Sequence, residues 1–148
     1  FVNRAVKATY DVRTALHASD GKPTPATEAI VAKHTRELLR YILFTDEVAL
    51  PAGGIEGDAL LKKFFLKGAR KTKDGLSLRD FDLKTRLFKH RCSYMIHSDA
   101  FKGLPAALKE RVKRDLKLAL SGKGIGEPIP ENERMAISKI LAESLTGF

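Results

Sequence analysis

The chain has 148 residues, the length of one ordinary domain, which is enough to bury a hydrophobic core without disulfides or bound metals. Apolar residues make up 43% and charged residues 30%, which excludes a disordered chain, and no apolar run approaches the roughly 18 residues of a membrane-spanning helix. The net charge is +9, and the lone Cys92 excludes an internal disulfide and a zinc site built on several cysteines. We expect one helical domain over residues 1–148. Because the chain begins at Phe1 rather than Met, we also expect a fragment or processed part of a longer chain.

The N-terminal segment predicts one helix. Side chains at nearly helical spacing begin at Val2, and Gly21 with Pro23 ends the segment. We therefore expect a helix from about residue 2 to residue 18. Its stripe comprises Val2, Val6, Tyr10 or Thr9, Arg13 and Leu16.

The second segment gives the clearest helix prediction. Thr24 can cap this helix, Pro25 suits its first position, and Glu28 lies four residues after the cap. A wide apolar face follows, and the glycines after Pro51 break the pattern. The face comprises Ile30, Val31, His34, Leu38, Tyr41 and Ile42.

A shorter helix is predicted next. Asp58 can cap it and Gly68 ends it. The sequence ARKTKDG, residues 69–75, then predicts an exposed basic loop. The residues expected to face inward are Leu60, Leu61, Phe64 and Phe65.

The stretch after Ser77 combines an apolar stripe at helical spacing with many basic residues. It predicts another helix, reaching about Ser98. Ser77 with Asp80 three residues later resembles a capping box in which Asp replaces the usual Glu or Gln. Leu78, Leu87 and Ile96 widen the apolar stripe, and the basic residues mostly take the other side. The stripe, at spacings of four and three residues, comprises Phe81, Thr85, Phe88, Cys92 and Met95.

Two further helices complete the predicted fold, after a short turn capped by Ser98 or Asp99. The helix from Pro105 ends at Gly122 or Gly124, and after a Gly and Pro linker Pro130 opens the last one. No alternating stretch outweighs the helical patterns, so the prediction is an all-α, bundle-like single domain of about six helices. The expected core residues are Leu108, Val112, Leu116 and Leu120, then Ile137, Ile140, Leu141 and Leu145.

Nearly all of the positive excess lies in the middle of the chain, where residues 62–91 hold eleven Lys or Arg against three Asp. Such a cluster can attract an anionic polymer, nucleic acid first and acidic glycan next, or membrane headgroups. The alternative is a solvated face that keeps the protein in solution. The candidate anion-binding residues are Lys62, Lys63, Lys67, Arg70, Lys71, Lys73, Arg79, Lys84, Arg86, Lys89 and Arg91.

No constellation of residues predicts a catalytic residue, a metal site or a cofactor. His90, Cys92 and His97 are competent metal ligands, but on one helix they either diverge or lie two turns apart. A single Cys excludes C-x-x-C-H haem attachment, and the glycine-rich stretches lack the residues of a phosphate-binding loop. Cys92 within the stripe is expected to be buried and inert, and His34 to be a hydrogen-bonded core or interface residue.

The sequence GLSLRDFDLKTRLFKHRCSYMIHSDAFKGLP, with ELLRYILFTDEVALPAGGIEGDA before it and LALSGKG after it, resembles the C-terminal module of large, functionally uncharacterised exported bacterial proteins. The pattern LRD-x-DL-x-x-RLF carries the resemblance, which covers most of the chain. One departure is HRC at residues 90–92, where an aromatic residue and Pro are more usual before the Cys. The resemblance implies a bacterial, envelope-associated origin, a periplasmic or extracellular location and a longer parent protein. It assigns no activity.

Three hypotheses about function stay open. The first is a non-enzymatic structural or interaction module, whose partner is another protein or the remainder of a longer chain. The second is a binder of anionic polymer that uses residues 62–91. The third is a hydrolase or redox domain completed by residues of another chain.

Overall fold

The computed structural model describes residues 1–123 and 129–148. Within these ranges the chain forms six α-helices and no β-sheet, so the predicted all-α, bundle-like fold is confirmed. A 3-10 turn, Tyr94–His97, precedes the fourth helix, and a π-type turn, Ala119–Lys123, follows the fifth. The predicted stop at Gly124 lies outside the described residues. The helices are α1 (Val2–Ala18), α2 (Pro25–Ile42), α3 (Ala59–Lys67), α4 (Asp99–Lys102), α5 (Ala106–Leu118) and α6 (Glu131–Ser144).

One hydrophobic core joins α1, α2, α4, α5 and α6, with α2 packed against both α1 and α5. Fully burying one Leu or Ile side chain contributes about 1.5–3 kcal/mol, so the helices that supply most of these side chains dominate stability. The core residues predicted in the last two long helices are buried, except for Leu145, which is half-buried. The others are buried, namely Leu108, Val112, Leu116, Leu120, Ile137, Ile140 and Leu141.

The bounds predicted for α1 are confirmed, but its predicted stripe is mostly wrong, since of its apolar residues only Leu16 packs against the core. Val2, Val6 and Tyr10 are exposed, and the buried residues are Ala5, Ala8 and Val12. This face of small side chains lets α1 lie close to α2, since the distance between helix axes depends on the side chains at the contact.

A buried histidine links α1 and α2. His34 is 2% exposed, and its Nε2 lies 2.9 Å from Asp11 Oδ2 while its Nδ1 lies 3.2 Å from Glu37 Oε2. Hydrogen bonds from Lys7 and, more weakly, His34 hold the pKa of Asp11 below its usual value. The predicted role of His34 as a hydrogen-bonded core residue is confirmed.

α2 begins where the sequence predicts. Thr24 Oγ1 accepts from the Thr27 N–H at 3.2 Å, and Thr27 Oγ1 accepts from the Thr24 N–H at 2.7 Å. Thr27 therefore completes a capping box. Most of the predicted face is buried, but Tyr41 is exposed and carries the Arg4 guanidinium over its ring.

The helix predicted over the basic stretch does not form, so that prediction was wrong. Residues 78–93 make a hairpin-like loop in which Phe81 and Phe88 form an isolated antiparallel bridge. The Leu83 N–H donates to the Arg86 carbonyl at 2.8 Å and closes the turn. The predicted stripe is therefore not the face of a helix.

Local hydrogen bonds explain why this stretch departs from a helix. The Asp82 carboxylate accepts from the Thr85 N–H, the Thr85 hydroxyl and the Arg86 N–H, which lowers the pKa of Asp82. Short polar side chains that bind nearby backbone in this way compete with helix formation. Leu83 also adopts a φ of 61°, in the left-handed region, which interrupts helical geometry.

Of the two caps predicted before α4, Ser98 is the one that forms. Its Oγ accepts from the Phe101 N–H at 3.3 Å and donates to the Met95 carbonyl at 2.6 Å. The Asp99 side chain points into solvent and pairs with Lys102. The Ser77 N–H donates to the Asp80 carboxylate, as the predicted capping box requires. This bond closes a single turn and does not begin a helix.

Candidate binding surface

The eleven candidate anion-binding residues divide into two groups. Arg79, Arg86 and Arg91 are partly buried and make contacts inside the fold. Lys62 is half-buried and packs beside Gly57. The remaining seven are exposed, namely Lys63, Lys67, Arg70, Lys71, Lys73, Lys84 and Lys89.

The carboxylate of Glu133, in the first turn of α6, accepts hydrogen bonds from one inner arginine and lies near a second. Glu133 Oε1 accepts from the Arg91 backbone N–H at 2.6 Å, and Oε2 accepts from Arg91 Nη2 at 3.0 Å. Arg86 Nη1 lies 3.7 Å from Oε1. The side chains of all three residues are less than one third exposed, so water screens these contacts only in part. This carboxylate ties the hairpin-like loop to α6.

The third inner arginine belongs to an aromatic cluster. Phe65 of α3 lies 5.2 Å from Phe81 and 5.1 Å from Tyr94 between ring centroids, and Phe88 contacts all three. Arg79 lies over the Phe65 and Tyr94 rings and donates to the Phe65 carbonyl at 2.8 Å. Phe65 therefore anchors α3 to the hairpin-like loop and to the 3-10 turn.

The predicted basic loop, residues 69–75, lies against the end of α6. Arg70 Nη1 donates to the Ser144 carbonyl at 3.0 Å, and the Lys73 N–H donates to Glu143 Oε2 at 2.9 Å. Asp74 pairs with Lys139 of α6. The loop is exposed as predicted, except for the buried Thr72, and these contacts fix its position.

α3 forms over the predicted residues, but its predicted inward face is mostly exposed. Asp58 Oδ1 caps it by accepting from the Leu61 N–H at 2.7 Å. Leu60, Leu61 and Phe64 are 77%, 67% and 78% exposed, and none of its residues is buried. At about 100° per residue these three side chains lie within one sector of the helix surface. We call this sector the α3 apolar face.

Two lysines border the α3 apolar face. Lys63 and Lys67 lie within about 60° of Leu60 around the helix axis, on the side away from Leu61. Neither has a carboxylate within 4 Å in the part of the chain that the structure describes. An apolar surface edged by free positive charge is the result.

The nucleophile and ligand candidates are buried apart from this surface. Cys92 is 0% exposed, and burial raises the pKa of its thiol to about 12. Burial also lowers the pKa of His90 and of His97. No group of three or more metal-ligating side chains occurs in residues 1–123 and 129–148. His97 Nε2 lies 2.9 Å from the Ser144 hydroxyl, but that hydroxyl donates its proton to the Ile140 carbonyl at 2.6 Å, so His97 does not act as its base in this arrangement.

Sequence patterns missed two functional features. Glu133 lies in the first turn of α6, where acidic residues are common, so nothing in the sequence marks it as the partner of Arg91. The α3 apolar face was interpreted as core. The sequence does hold a sign of the exposed face. The apolar residues of this nine-residue helix cover a wider arc than one contact with the core can bury.

No known protein family, curated protein or solved structure matches this chain. None of the described helices is both long enough and apolar enough to cross a membrane.

Replacing Glu133 by Gln should lower the free energy of unfolding by about 2 kcal/mol, because it weakens charge-assisted hydrogen bonds to Arg91. Urea unfolding measures the effect. Glu131→Gln is the matched control, since Glu131 is exposed in the same helical turn. Equal shifts of the two midpoints would contradict a specific role for Glu133.

The Cys92 thiol should react with a thiol reagent only when the fold opens. Its pKa in the folded protein is about 12, above the ordinary 9.0, so its contribution to stability is complete below pH 9 and is lost as pH rises through 12. Labelling at pH 8 with and without urea measures accessibility. Native labelling as fast as that of the unfolded chain is the contrary result.

Proposed function

We propose that this chain is a non-enzymatic interaction module that docks onto an acidic protein partner through the α3 apolar face. One observation carries the proposal: Leu60, Leu61 and Phe64 lie together in water on a helix without a buried residue. Scattered exposed apolar residues are normal, but a contiguous group marks an interaction site. The setting implied by the sequence resemblance, a part of a larger exported bacterial protein, belongs to the same proposal.

Charge favours an acidic partner. Lys63 and Lys67 border the apolar face, and the nearby exposed Arg70, Lys71 and Lys73 add to the positive field. Two copies of this chain facing each other through α3 would bring like charges together, which costs free energy. A partner with Asp or Glu around an apolar groove complements both features.

The small extent of the α3 apolar face favours a protein groove over a membrane surface. The binding of an interfacial helix to a membrane grows with the apolar area that it buries there. α3 has nine residues and offers three anchors within little more than one turn. A short amphipathic helix with a few anchors is the form that hydrophobic grooves of proteins recognise.

A photo-crosslinking amino acid placed at Phe64 tests the proposal in extracts of the source organism. We expect a discrete adduct with one acidic protein. The same amino acid at Met135, which is 67% exposed on α6, is the control and should give no such adduct. Adducts only with lipid, or equal adducts at both positions, would overturn the proposal.

The adduct should then be reproduced with purified components. Lys63→Glu with Lys67→Glu should weaken the purified complex by at least about tenfold, the effect of losing roughly 1.4 kcal/mol. Lys33→Glu, on α2 and remote in sequence from α3, should leave the affinity nearly unchanged. Unchanged binding in the double variant would remove the electrostatic part of the proposal.

Binding of anionic polymer is a second candidate, favoured by the fixed position of the basic loop. Lys67 at the end of α3 and Arg70, Lys71 and Lys73 in the loop are exposed, whereas Arg79, Arg86 and Arg91 are engaged inside the fold. Arg70 binds α6 through its side chain and Lys73 binds it through its backbone N–H. These contacts fix the position from which the loop presents its charges.

This second candidate predicts that the protein is retained on heparin or duplex DNA at about 50 mM salt. Replacing the four residues together by Gln should remove most of this affinity. For duplex DNA the slope of log K against log salt should flatten by about 0.9 for each phosphate that the variant no longer neutralises. Absence of retention by the unmodified protein would contradict this candidate and leave the α3 proposal untouched.

A further inference from the structure

A polar cavity of about 290 Å³ lies between the loop after α3, the turn at Ser77 and the 3-10 turn. Its volume far exceeds the roughly 30 Å³ share of one water molecule and falls just short of pockets for drug-sized ligands. A small ligand fits this space. Its polar lining includes Arg70, Ser77, Arg79 and His97.

The cavity is electropositive. Arg70 and Arg79 line it, and no Asp or Glu does so among the described residues. Burial lowers the pKa of His97 to about 4, and repulsion from three nearby cations acts in the same direction. These cations are Arg70, Arg79 and Lys102. No lining carboxylate in the described part of the chain offsets their combined field.

The two arginines are held in place before any ligand arrives. Arg79 donates to the Phe65 carbonyl at 2.8 Å, and its guanidinium carbon lies 4.9 Å from the ring centroids of Phe65 and Tyr94. Arg70 donates to the Ser144 carbonyl at 3.0 Å. Each guanidinium has five N–H donors, so most remain available, and fixed donors reduce the entropy lost on binding.

The hydrogen bonds of Ser77 and His97 show which of their protons a ligand can use. Ser77 is 1% exposed and accepts from the Arg79 N–H, while its own hydroxyl proton has no acceptor in the described part of the chain. Ser144 donates to the Ile140 carbonyl at 2.6 Å, so it accepts from His97 Nε2 at 2.9 Å. The neutral His97 ring therefore carries its proton on Nε2. A bound anion would accept the free Ser77 proton.

We propose that this cavity binds a phosphate group, either inorganic phosphate or the phosphate end of a small phosphomonoester. Arginine forks match phosphate oxygens in bidentate geometry, and a tetrahedral oxyanion accepts from donors that converge from several directions. A planar carboxylate would use fewer of them. The site is distinct from the α3 apolar face and does not depend on the function proposed for it.

Titration of the intact protein with inorganic phosphate, followed by NMR of the histidine rings at constant ionic strength, tests the site. We expect a saturable shift of the His97 resonances, with those of the buried His90 unaffected. Arg70→Gln should weaken the affinity about tenfold, as expected when one charge-assisted hydrogen bond is removed. Lys71→Gln, an exposed neighbour that does not line the cavity, should not.

Glycerol 3-phosphate and acetate complete the experiment. Tighter binding of the ester than of phosphate identifies a phosphomonoester ligand, and the reverse identifies free phosphate. Acetate binding as tightly as phosphate would overturn the assignment to phosphate. The absence of a saturable His97 shift at about 10 mM phosphate, or equal losses of affinity in the two variants, would overturn the site itself.

Discussion

The carboxylate of Glu133 is the contact on which the middle of the molecule depends. It receives the backbone N–H and the guanidinium of Arg91, and Arg86 approaches the same oxygens. Its position in the first turn of α6 also suits the positive end of that helix. A stretch rich in positive charge is thereby held against the bundle without the regular hydrogen bonds of a helix.

The exposure of α3 follows from this arrangement. Once the hairpin-like loop is fixed, Phe81 and Phe88 stack on each other and present their rings to Phe65. Phe65 enters this cluster, and Leu60 and Phe64, which lie about 140° and about 100° from it around the helix axis, face water. The phosphate cavity has the same origin, because Arg79 is held over Phe65 and Tyr94.

Sequence patterns predicted the fold class and the bounds of the long helices because caps and stops are local signals. Thr24, Asp58 and Pro130 lie at helix starts as predicted, and Gly122, with a φ of 83°, interrupts the turn after α5. The faces of α1 and α3 were predicted wrongly because periodicity finds an apolar stripe but not what covers it.

The helix predicted over residues 78–93 was wrong for another reason. The four- and three-residue spacing of its apolar residues suits a helix. The hydrogen bonds of Asp82 to nearby backbone, and of Arg91 to Glu133, 42 residues away, favour the loop instead.

The conformation of residues 78–93 is the central claim, and NMR chemical shifts of their Cα atoms test it most directly. The structure predicts no continuous run of helical shifts from residue 78 to residue 93, together with ring contacts between Phe81 and Phe88 in nuclear Overhauser spectra. Helical shifts confined to Tyr94–His97 and the following α4 would agree with it. Unbroken helical shifts from residue 78 to residue 97 would contradict the clamp by Glu133, the orientation of α3 and the site built on Arg79.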